Sequence, residues 1–137
     1  MKTESFIITV HHADRVLEVQ YPSRPTMSAY EQYETEIRKA ILELEKSGPW
    51  DCLVDQTQLR ALAPDFPPRI AELNVWSRVH GMHRTARVVS DSAVGELQTI
   101  RILKESGITD IGAVFHDRKD AWAFVTGQSK DDSSAKS

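Results

Sequence analysis

Trp50-Asp51-Cys52-Leu53-Val54-Asp55 is the stretch that decides the fold. Its inner residues run apolar without polar alternation. That pattern marks a strand covered on both faces, as in a parallel sheet flanked by helices. Open α/β sheets bind ligands at the carboxyl ends of such strands. The connection that follows, Gln56 to Pro68, therefore bounds the function, and it carries no recognisable catalytic set.

Upstream, Phe6, Ile8 and Val10 alternate with Ile7 and Thr9, and Val16 to Tyr21 forms a second extended run after a turn at Ala13-Asp14. So short a gap predicts an antiparallel hairpin at a sheet edge. Pro22 and Pro25 end the pairing, because proline cannot donate to a ladder. A long helix is expected next. Ser28 and Glu31 have capping-box spacing, and Tyr30, Tyr33, Ile37, Ile41 and Leu44 form a one-sided apolar stripe. Gly48 and Pro49 close it.

Downstream, Pro67 and Pro68 suit the first turn of a second helix, with Ile70, Leu73, Trp76 and Val79 as its stripe. Arg84 to Val89 reads as a strand. Asp91 or Ser92 caps a third helix bearing Val94, Leu97, Ile100 and Leu103, ended by Gly107. Ile111 to Phe115 is the last strand, and Asp117 caps a short helix with Ala121, Trp122 and Val125 inward. The order ββαβαβαβα predicts an α/β fold with a mixed, mainly parallel sheet, an antiparallel edge hairpin and flanking helices. One domain over residues 1–126 is expected, with a disordered polar tail over 127–137.

The chain has 137 residues, 40% of them hydrophobic and 27% charged, as in an ordinary globular protein. A net charge of -3 gives no electrostatic case for nucleic acid. The one cysteine, Cys52, excludes an internal disulfide and reads as a small buried hydrophobe. No signal-peptide pattern opens the sequence and no apolar run reaches the ~20 residues of a membrane span. A cytoplasmic location is expected.

Three segments carry a resemblance. They are Asp51-Cys52-Leu53-Val54-Asp55, Thr85-Ala86-Arg87-Val88-Val89-Ser90-Asp91, and Ile111-Gly112-Ala113-Val114-Phe115-His116-Asp117 running into Asp120-Ala121-Trp122-Ala123-Phe124. In this order they resemble the STAS/SpoIIAA-like family of small bacterial proteins, over residues 5 to 125. The resemblance implies a non-enzymatic regulatory or protein-interaction module, whose members bind a kinase or anti-sigma factor and are switched by phosphorylation after the central strand. The related CRAL-TRIO-like reading implies a pocket for a lipophilic small molecule. This chain departs from the phospho-switch motif. Ala63-Pro64-Asp65-Phe66-Pro67-Pro68 stands where the phosphoacceptor belongs, and Thr57 is the only hydroxyl between Asp55 and Ser77.

The candidate residues follow. Leu59, Leu62 and Phe66 are too apolar for a merely solvated loop. With Leu73 and Trp76 they are the expected partner- or ligand-binding set, on a surface made by the loop Leu59 to Phe66 and the helix Arg69 to His80, and Thr57 is the candidate regulatory site. Arg78, Arg84 and Arg87, with His80 and His83 nearby, form a locally basic segment suited to an anionic contact. Asp55 reads chiefly as a loop cap. No metal site is expected, since Gly81 breaks the helix that would align His80 with His83, and His11 and His12 point to opposite faces of a strand. No cofactor is expected. A protein partner or a second copy of the chain is the expected occupant, with a lipophilic ligand as the alternative.

Overall fold

A computed structural model describes residues 5–60 and 62–127. Among these residues five strands and four helices follow in the order β1 (Ile7–His11), β2 (Val16–Gln20), α1 (Met27–Glu45), β3 (Trp50–Asp55), α2 (Phe66–Val79), β4 (Met82–Val88), α3 (Ala93–Glu105), β5 (Gly112–Phe115) and α4 (Arg118–Val125). The sheet order is β1-β2-β3-β4-β5. The β1–β2 pair is antiparallel and the other three pairs are parallel. The decisive stretch is thus the central strand, and all of it except Asp55 is buried.

The two faces of the sheet are covered unequally. Leu17, Val19, Cys52 and Val54 face one side, where α1, α2 and α3 pack with Tyr30, Ile41, Phe66, Leu73 and Leu103. Val16, Leu53, Ala86 and Val88 face the other, where α4 supplies Ala121 and Val125. Alternation along each strand makes both faces apolar, so one strand feeds two cores.

Local signals explain most boundaries and correct some expectations. The α1 stripe is buried as expected. Its cap is Thr26, whose side chain accepts from the Ala29 amide, and not Ser28. Thr26 keeps an extended backbone, as an N-cap must, and Ser28 is already helical. The α1 carboxyl end is held from a distance. Arg15, in the hairpin turn at φ +56, donates to the carbonyls of Leu44, Gly48 and Pro49. It thereby adds a long-range donor to the carbonyls at the helix end, where Ser47 already donates to Leu44. Gly81 requires its lack of a side chain: φ is +98, and an added Cβ would lie 3.2 Å from the Trp50 indole nitrogen.

Helices α2 and α3 depart from their expected stripes. In α2, Asn74 and Ser77 are buried with Phe66, Ile70 and Leu73, while Trp76 is half-buried and Val79 is 76% exposed. In α3, Thr99, Ile102 and Leu103 are buried, while Val94 and Leu97 face outward. Gly127 is buried at φ +84 directly after α4, so the predicted tail does not include it. The rest of that tail, 128–137, lies outside the described residues.

Candidate functional site

At the carboxyl end of β3, Asp55 acts as a turn former. One carboxylate oxygen accepts from the Thr57 amide at 2.9 Å and from the Thr57 hydroxyl at 2.7 Å. Both groups are therefore committed to the turn. Beyond it, the Leu59 amide bonds to Gln56 and the Arg60 amide to Ser23. Leu59 and Leu62 pack partly buried on the main core, and Phe66 stands edge-on to Tyr30 with centroids 5.6 Å apart. The apolar loop is thus an anchor.

The expected binding set does not converge. Phe66 and Leu73 are core residues. Leu59 borders a polar cleft of about 210 Å³ with Gln56, Ser90 and Ser92. Leu73 lines an enclosed space of about 20 Å³ beneath α1 and α2. Trp76 faces outward into a third space. An acyl chain needs far more than the one-water volume beneath α1 and α2.

The expected anionic contact is likewise dispersed. Arg78 forms a bidentate pair with Asp110, at 2.8 and 2.7 Å. Arg84 lies 3.5 Å from Asp51 on the α4 face. Arg87 points the opposite way from Arg84's neighbour Ala86, into the main core, and is 3% exposed. The pleat of β4 sends successive side chains to opposite faces, and that breaks up the basic segment.

The histidines serve local pairs. His80 lies 2.9 Å from Glu45, His11 2.8 Å from Glu18, and His116 3.1 Å from Glu96. Among the described residues no group of three or more His, Cys, Asp or Glu side chains is placed to hold a metal ion. Burial pushes the Cys52 thiol up to about 11, which leaves it protonated and unreactive near neutrality.

The surface with the clearest binding character is the outer side of α2. Pro68, Ala71, Val75, Trp76 and Val79 line a groove of about 500 Å³, bordered by Glu72 and by Glu105 of α3. Trp76 is held there between His80, with ring centroids 4.1 Å apart, and the Arg38 guanidinium at 4.6 Å. Ala71 and Val75 belong to the expected helix surface, Arg69 to His80, without being singled out, and Glu105 lies outside it. The signal was present in α2 itself. Ile70, Ala71, Leu73, Val75, Trp76 and Val79 are too many apolar residues for one face, so some had to point outward.

No protein-family model, no curated protein and no solved structure matches this chain. Its functional reading rests on its own surface and interior. Among the described residues, no helix is long and apolar enough to cross a membrane.

Proposed function

We propose that this chain is a non-enzymatic interaction module of STAS-like type, and that it contacts its partner through the outer face of α2. The observation that carries this reading is the exposure of Val75 and Val79, 48% and 76%, beside the half-buried indole of Trp76. Contiguous apolar surface costs solubility unless something covers it, and an indole at the rim is a typical interface anchor. Glu72 and Glu105 at the border set the partner's chemistry: an amphipathic helix whose apolar stripe is flanked by lysine or arginine. The committed Asp55–Thr57 turn and the scattered histidine pairs offer no nucleophile–base set, which favours binding over catalysis.

Val79→Asp tests the surface. The side chain is exposed, so the variant should keep the wild-type melting temperature to within a few degrees. It should lose the protein that co-purifies with the wild type from its native host. Retention of that protein by a folded Val79→Asp variant would remove α2 from the interface.

A further inference from the structure

Arg87 is the most heavily buried charge in the described structure. Its Nε donates to Thr85 Oγ1 at 3.1 Å and one terminal nitrogen donates to Asn74 Oδ1 at 2.8 Å. A guanidinium has five N–H donors, so three remain. Arg38, Arg69, Arg78, Arg84 and Arg118 each lie within ion-pair distance of a carboxylate among the described residues. Arg87 is not among them.

Its neighbours cannot supply the missing charge. Asn74 is fixed with its oxygen toward Arg87, because its amide nitrogen donates to Ser106 Oγ at 3.0 Å and Ser106 in turn donates to the Ile102 carbonyl. Burial pushes the Tyr21 phenol up to about 12 and the Cys52 thiol to about 11, so both stay neutral. A lysine in this position would shed its proton, but arginine does not. The cost of an uncompensated interior cation therefore persists unless an anion joins it.

Beside Arg87 lies the enclosed space of about 20 Å³, whose lining combines Tyr21, Tyr33, Cys52, Asn74 and Ser77 with apolar side chains of α1, α2, β3 and β4. We propose that this space is a binding site for one monatomic anion, a halide of chloride size, held by the free N–H donors of Arg87 and by hydroxyl donors of the lining. The volume admits a single water-sized particle and excludes phosphate, sulfate and carboxylates. A water of the same size would satisfy the hydrogen bonds but would leave the charge unbalanced. The bound halide ties β4 to α2 and α1 at the centre of the main core.

Two measurements on the full chain decide it. In crystals grown from sodium bromide, an anomalous bromine peak is expected beside the Arg87 guanidinium; a water molecule or nothing at that position overturns the proposal. Chloride-free protein titrated with sodium chloride should melt roughly 3–8 °C higher than in sodium gluconate of equal ionic strength, once chloride is well above its dissociation constant. Arg87→Met should abolish that difference, and equal melting of the wild type in both salts overturns the site. Should Arg87→Met fail to fold, the bromide peak in the wild type still decides.

Discussion

Arg118 reaches from the first turn of α4 to Glu18 on β2, one hundred residues earlier, with two hydrogen bonds of 2.9 Å. The Trp122 ring lies under the same guanidinium at 5.0 Å, and His11 closes the cluster 2.8 Å from Glu18. The hydrogen bond from Arg118 is the largest influence on Glu18 and, against the opposing pull of partial burial, holds its carboxyl below the ordinary value of 4.5. A carboxyl depressed by folding contributes stability that is fully present above its unfolded value. That stability is lost as pH falls through the folded value. The wild type should therefore exceed Glu18→Gln by about 1 kcal/mol at neutral pH, a modest figure because the Arg118 side chain is 47% exposed. The difference should shrink below about pH 4.5. Urea midpoints of both proteins at neutral and acid pH check this, and a pH-independent gap would assign the effect to packing instead of charge.

At the scale of elements, the instructive cases are α2 and α3. Each turns polar residues inward and apolar ones outward. Asn74 and Thr99 find partners outside their own helices: Gln56 donates to Thr99 at 3.1 Å, Asn74 to Ser106 at 3.0 Å, and Arg87 to Asn74 at 2.8 Å. Buried donors and acceptors left without partners are expensive, while paired ones are not. Asn74→Ala should thus cost about 2–3 kcal/mol, because it strands groups on both Arg87 and Ser106. Leu97→Gln, on the exposed side of α3, should stay within about 0.5 kcal/mol. Denaturant unfolding of the two variants would show this inversion of the usual hydrophobic order, and equal losses would place the α3 face differently. The same chemistry explains what the sequence revealed. The strands, the hairpin and the α1 stripe were legible because period and burial agree there. The orientation of α2 and α3 was not, because the partners that make Asn74 or Thr99 tolerable inside lie 32 and 43 residues away. The expected binding set does not converge for a related reason: Phe66 and Leu73 are apolar and buried in the core.

Across the whole molecule, strand order follows chain order without reversal, and α1, α2 and α3 all cover one face. Ligand crevices of open α/β sheets form where neighbouring connections diverge to opposite faces. No such divergence occurs between β2 and β5, which accounts for the shallow polar cleft at the carboxyl ends and moves the binding reading to the helix surface. The same arrangement leaves the second face to α4 alone, whose Ala121 and Val125 sit fully buried over Leu53, Ala86 and Val88. Replacing Ala121 by Glu sets a charge against that apolar face with no partner, at a cost of more than about 3 kcal/mol if α4 stays docked. Undocking is the cheaper response, because the larger core beneath α1, α2 and α3 does not depend on α4. Ala121→Glu should then bind a hydrophobic dye and lose amide protection in α4 first, while the amides of α1 remain protected. Simultaneous loss of protection in α1 and α4 would mean that the two faces of the sheet fold as a single cooperative unit, with the central strand Trp50–Asp55 transmitting the failure of one core to the other.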